Sequence, residues 1–135
     1  LQRVFLRKGT KTMITILGKI PSKKNSKKIF SIRGRVIIAP STIYEKWHRQ
    51  AKQQVLSQGQ CGCQEGKKVC KIEINLYAPD KRRGDLTNRA ESILDLLVDC
   101  GILKDDNWFE VPQVVLSFGG VDRENPRAEI FIDIA

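Results

Sequence analysis

The sequence predicts a single α+β domain: a mixed or antiparallel sheet with two main helices packed on it. Three observations lead there. A length of 135 residues is one domain's worth of chain. Hydrophobic residues at 41% and charged residues at 29% are ordinary globular proportions, not those of a disordered tail. Stretches with a two-residue period alternate with two stretches of helical period, in the order β-β-β-α-β-α-β-β, which suggests helices covering one sheet.

The elements follow in order. Residues 1–12 are basic and without clear period, and read as a leader or extension, leaving 13–135 as the domain. Met13 opens a strand-like run through Ile14, Ile16 and Leu17. The segment from Pro21 to Lys28 is a loop by its Pro, Ser and Asn content. It carries Lys23, Lys24, Lys27 and Lys28 within six residues, a density that suits phosphate contact. Residues 28–32 and 36–39 flank Arg33-Gly34-Arg35 and read as a hairpin. Thr42 and Glu45 have capping-box spacing, and Ile43, Trp47, Ala51 and Val55 recur at helical spacing as far as about Gln58. Tyr44 and Trp47 could stack on bases, although aromatics so spaced are more often core. Beyond a Gly- and Cys-containing connection, residues 69–78 alternate Ile72, Ile74 and Leu76 with polar neighbours, the pattern of a half-buried strand. A basic loop over 80–84 leads to a second helix, about 87–99, closed by Gly101, with Ala90, Ile93, Leu94, Leu97 and Val98 toward the core. Two strands follow, near 113–118 and 128–134. There are no repeats and no low-complexity tract.

Charge is unevenly spread. The net charge is +9, yet residues 1–84 carry 20 Lys/Arg against 4 Asp/Glu, while residues 85–135 carry 4 against 11. A basic surface attracts polyanions through steering and counterion release, although many basic proteins bind no nucleic acid. The acids in such a chain need a reason, and 7 of the 15 fall between Asp85 and Glu110. No apolar run is long enough to cross a bilayer and no secretory signal is evident, so a cytoplasmic protein without a membrane partner is expected. Cys61, Cys63 and Cys70 match none of the common zinc spacings, and with Cys100 they are expected to be free, reduced thiols.

The acidic segment is where chemistry is expected. On a helix Asn88, Glu91, Asp95 and Asp99 fall at steps of three and four and share one face, where like charges repel by about 0.2–0.5 kcal/mol per pair. Asp85 stands at the helix entrance, either as a cap or as a functional carboxylate. Asp105 and Asp106 follow the turn at Gly101, and a return path of this length can carry Asp106 back toward the helix start. Carboxylates converging in a basic protein suit Mg²⁺, with Mn²⁺ as a substitute: a hard cation takes oxygen ligands, polarises a phosphate and stabilises the leaving oxygen. His48 is the single histidine; it has no fixed Ser or Cys partner and no Gly-rich phosphate loop is present, so a triad or a small-molecule cofactor is not expected.

Gly18, Pro21, Lys24 and Asn25, then Arg82-Arg83-Gly84-Asp85-Leu86-Thr87-Asn88, Asp95, Leu97, Gly101 and Asp105-Asp106, resemble the RusA family of Holliday junction resolvases, common in phages and prophages. The likeness runs from about Met13 to Ile134. It implies a homodimeric, Mg²⁺-dependent endodeoxyribonuclease of recombination and repair that resolves four-way junctions and other branched DNA by paired symmetric nicks. It maps the family's first and last catalytic aspartates onto Asp85 and Asp106. The family's middle aspartate falls on Thr87, and its lysine on Glu91. One reading is compensation, with Glu91 reaching from one turn away to supply the missing carboxylate and Arg89 or the Arg82-Arg83 pair replacing the lysine's charge. The other is a site that binds branched DNA without cutting it. On the first reading Asp85, Glu91 and Asp106 are catalytic, and with Asp105 they are the metal ligands. Asp95 is a further candidate ligand. Lys23, Lys24, Lys27, Lys28, Arg82, Arg83 and Asn88 contact DNA.

Overall fold

The computed structural model describes residues 10–22, 27–40, 42–58 and 68–134. Eight elements run in the expected order: β1 (Thr10–Leu17), β2 (Lys27–Ile32), β3 (Arg35–Pro40), α1 (Thr42–Ser57), β4 (Val69–Ala78), α2 (Leu86–Asp99), β5 (Val114–Val121) and β6 (Arg127–Ile134). β1 begins three residues before Met13, with Thr10 opposite Ile134 on β6.

The strands do not form one sheet. Four of them make a mixed sheet in the order β1-β6-β4-β5, and β2 pairs only with β3. The pairing of β2 with β3 follows from their turn. Arg33 and Gly34 both have positive φ, 51° and 79°, the combination that lets a two-residue loop match strand twist. Within the main sheet β6 is antiparallel to both β1 and β4, whereas β4 and β5 are parallel. Parallel neighbours need a crossover, and α2 is that crossover.

Period-two burial makes the sheet two-faced. Ile14 and Ile16 on β1, Ile72, Ile74 and Leu76 on β4, and Ala128, Ile130 and Ile132 on β6 are buried together with Trp47, Ala51 and Val55 of α1 and Ala90, Ile93, Leu96 and Leu97 of α2. The other face is a ladder of charges in which Lys11 and Lys71 each lie within 4 Å of both Glu73 and Asp133. Such exposed pairs contribute under about 1 kcal/mol each. The α1 stripe is rotated from the expected one: Tyr44 is buried at 5% exposure while Ile43 stands 75% exposed. Tyr44 and Trp47 are therefore core, with ring centroids 5.8 Å apart.

Two polar devices complete the frame. At the end of α1 the amide side chains of Gln54 and Gln58 bond the backbone of Leu17 and Thr15, so part of the outer edge of β1 is occupied. Ser92, fully buried on α2, donates its hydroxyl to the Pro21 carbonyl at 2.7 Å, and Gly18 N–H bonds Pro126 O at 2.8 Å. The strap after β1 is thereby pinned across α2.

Candidate functional site

That strap makes one wall of a cleft. The C-terminal half of β4, the loop to α2 and the first turn of α2 make the rest, with Phe118 contributed by β5. Ile20, Leu76, Leu86 and Phe118 are among its apolar lining residues, and Lys19, Arg82, Arg83 and Arg89 bring four cations to it. Its acids are Asp80 and Asp85. Asp80 is committed to the loop: its carboxylate accepts the Arg82 N–H at 3.0 Å and lies 3.8 Å from the Arg82 guanidinium.

Asp85 is placed differently. It holds the N-cap position of α2 with φ −96° and ψ 128°, but its side chain makes no capping hydrogen bond. The cap role is the ordinary reason for an aspartate there, and it is not realised. Instead Asp85 Oδ2 accepts the Asn88 amide at 3.0 Å, and the Asp85 carbonyl receives the Arg89 guanidinium at 3.3 Å. Gly84 permits that approach, since a Cβ at 84 would stand 2.7 Å from the Arg89 guanidinium. The carboxylate is exposed at the positive end of the helix, among cations, where an anionic ligand is favoured.

The other expected ligands are not among the residues lining this cleft. Thr87 and Glu91 are exposed on the first and second turns of α2, and neither is among the residues lining the cleft. Asp105 spends its carboxylate on its own turn, accepting the Asp106 N–H at 2.8 Å and the Asn107 amide at 3.0 Å. These two bonds hold its pKa below the usual carboxylate value. Asp106 is exposed beside it. Asp95 is half-buried near Tyr44, and Asp99 is paired with His48 and Lys52 of α1, so the shared acidic face of α2 is in part structural. Among the described residues no three His, Cys, Asp or Glu side chains gather into a group that could hold a metal ion. Lys23, Lys24, Cys61 and Cys63 lie outside the described residues; Lys27 and Lys28 open β2. Cys70 and Cys100 are free thiols.

Lys19, Ile20 and Phe118 escaped sequence reasoning. They join the site by long-range placement, although Gly18 and Pro21, which bracket the strap, were visible turn signals. Arg89 was a candidate to replace the family lysine's charge, but its reach back to the Asp85 carbonyl was not legible.

A single α+β domain with a cation-rimmed cleft and an exposed, non-capping carboxylate at its mouth is the build of a protein that works on a polyanion. The chain belongs to the RusA endodeoxyribonuclease family, whose model matches residues 18–133. Membership implies the function of a Holliday junction resolvase endonuclease, acting on branched DNA. No individually curated protein matches the chain. Among the described residues no helix is long and apolar enough to cross a membrane.

Proposed function

We propose that the protein is a Mg²⁺-dependent nuclease that resolves four-way DNA junctions by paired symmetric nicking, acting as a homodimer, with its chemistry centred on the cleft at Asp85. The observation that carries this reading is Asp85 itself: an N-cap aspartate that does not cap, exposed among four cations. Arg82, Arg83, Lys19 and Arg89 supply the positive charge that holds phosphates against the acid. Asn88 fixes the Asp85 carboxylate, so that it can orient the attacking water. Magnesium would polarise the scissile phosphate and stabilise the leaving oxygen. Its donors would be hard carboxylate oxygens, which Asp85, Glu91, Asp105 and Asp106 offer in kind. Within one copy the described carboxylates do not gather into a three-ligand set.

The experiment is incubation of the protein with a synthetic four-way junction and Mg²⁺, alongside Asp85→Asn and Asp106→Asn. Paired nicks at symmetric positions are expected from the wild type and none from either variant. Nicks that persist in both variants would remove this site assignment. Salt-sensitive junction binding with no cleavage under any divalent ion would instead favour a silent binder. Thr87 and Glu91, standing where the resemblance expects an aspartate and a lysine, are the observation that keeps that second reading in play.

A further inference from the structure

The first 44 residues hold 11 Lys/Arg and no acid; Glu45 is the first carboxylate of the chain. Within that stretch stands the β2–β3 hairpin, with Lys27, Lys28, Arg33 and Arg35 in its sequence. Among the described residues its strands pair only with each other. The register sets Ile32 opposite Arg35 across the Arg33-Gly34 turn, and Ser31 opposite Val36 one step further down. Successive strand residues face opposite ways, so Ile29 and Val36 share one face of the ribbon, and Ile32 shares the other with Arg35.

Both faces are open at the tip. Ile29 and Val36 are each 72% exposed and Ile32 is 49% exposed, with Ser31, Arg33 and Arg35 exposed beside them. Cations on a free ribbon guard its edges against pairing with other strands. The aliphatics do not serve that purpose. Near the end of a two-stranded ribbon, itself marginal in water, they are a cost unless something covers them. The hairpin leaves the strap that walls the cleft and returns to α1. Five chain steps run from Ser22 to Lys27, and at no more than about 3.6 Å each they root it within about 18 Å of the pinned strap. Strands of six residues then carry the tip about 20 Å from that root.

Charge says what covers the tip. The same hairpin of another copy would bring its own arginines against Arg33 and Arg35, with no acid to answer them. DNA brings phosphates to the arginines and base faces to the aliphatics. A two-stranded ribbon fits a groove, and aliphatic side chains delivered to bases can insert between steps and unstack them. Where the arms of branched DNA meet, stacking is already interrupted, so insertion costs least there. We propose that the tip of the β2–β3 hairpin enters the branch point, where Ile32 and Val36, on opposite faces of the ribbon, each meet a base at an arm end while Arg33 and Arg35 hold the flanking phosphates. Preference for branched over linear DNA then resides in this arm. The proposal rests on branched DNA as the substrate and does not require that the protein cut it.

The test is a four-way junction carrying 2-aminopurine, which fluoresces when unstacked, either at the branch point or in the middle of an arm, with Ca²⁺ in place of Mg²⁺. The wild type should brighten the branch-point base at least about twofold and leave the arm base unchanged. Ile32→Thr with Val36→Thr keeps β-branched side chains and both arginines. This first variant should keep the wild-type melting temperature and salt slope, but lose most of the brightening and most of the preference for junction over linear duplex. A second variant, Arg33→Gln with Arg35→Gln, should make the slope of log K against log salt shallower by about 1.8, at about 0.9 per phosphate contact. Brightening that survives in the first variant overturns the proposal. So does an unchanged slope in the second, which would fit a protein partner instead. A first variant that sediments at half the wild-type mass would put the tip between copies and overturns it as well. Nicking in Mg²⁺ is scored separately: cutting without brightening sinks the arm alone, brightening without cutting sinks the nuclease alone, and a junction left unbound sinks both.

Discussion

His48 Nε2 lies 2.7 Å from Asp99 Oδ2, joining the middle of α1 to the last turn of α2, and Lys52 Nζ approaches the same oxygen at 3.5 Å. The hydrogen bond from His48 is the main reason the Asp99 pKa is lowered, and the Lys52 charge adds to it. This is the one acid of the predicted α2 face whose purpose the fold states outright: it holds the two helices together over the sheet.

The pH dependence follows from the sign of that shift. A carboxyl whose folded pKa is depressed contributes stability above its unfolded pKa, and loses it as pH falls through the folded value. Asp99→Asn should cost no more than about 1 kcal/mol at pH 7, because the pair is half exposed. Urea unfolding of both proteins across pH 7 to 2 checks this. The difference should shrink as pH falls below the usual carboxylate value of about 4, and vanish only once the wild-type carboxyl, held below that value, takes up its proton.

Tyr44 gives the alkaline counterpart. Burial, followed by the charges of Asp95 and Asp99, pushes its pKa up to about 12. A phenol kept neutral in the fold contributes stability below pH 10 that is lost as pH rises toward 12, roughly 2 kcal/mol in all. Ultraviolet titration should show a phenolate transition near pH 12 that is absent from Tyr44→Phe, and the variant should lose less stability between pH 10 and 12.

The order of elements was legible because burial leaves a period: two in β4, between three and four in α2. What period does not encode was lost. Ile43 and Tyr44 are adjacent, and either could have led the α1 stripe; the angle at which the helix meets the sheet selected Tyr44. Nothing local says that β2 and β3 stand apart, or that β6 lies between β1 and β4, since strand order is settled by which edges meet. The site divides likewise. Asp85, Asn88, Arg82 and Arg83 are consecutive enough to be read together, whereas Lys19 and Phe118 reach the cleft only through the pinned strap and the parallel crossover. Asp106 was expected back toward the helix start on loop length alone, and loop length encodes neither the Schellman closure at Gly101 nor the bond from Leu103 N–H to Leu97 O.

Ser92 is the polar group that the α2 pattern least announced, and it fastens the strap. Ser92→Ala leaves the Pro21 carbonyl without its 2.7 Å donor. A part-buried acceptor so stranded costs about 1 kcal/mol, the low end of the range for a buried one. Because the strap carries Lys19 and Ile20, DNA affinity should fall along with the melting temperature. Calorimetry and a junction-binding titration on the same preparation check both; loss of stability with unchanged binding would mean that the strap wall is not part of the DNA surface.

Asp85 and Arg83 should separate cutting from holding. Asp85 makes no cap bond and takes only the Asn88 amide, which an asparagine oxygen can also accept, so Asp85→Asn should change stability by less than about 0.5 kcal/mol. It removes a negative charge from a surface that meets phosphates, so junction binding should hold or tighten while cleavage falls by at least about a hundredfold. Arg83→Ala should do the reverse to binding. With one phosphate contact fewer, the slope of log K against log salt becomes shallower by about 0.9, and affinity drops most at low salt. Binding isotherms at several salt concentrations, set beside single-turnover nicking, measure the two roles independently. Were Asp85→Asn to weaken binding as much as Arg83→Ala does, its carboxylate would be a structural support of the cleft, and the chemistry would have to be sought among Glu91, Asp105 and Asp106.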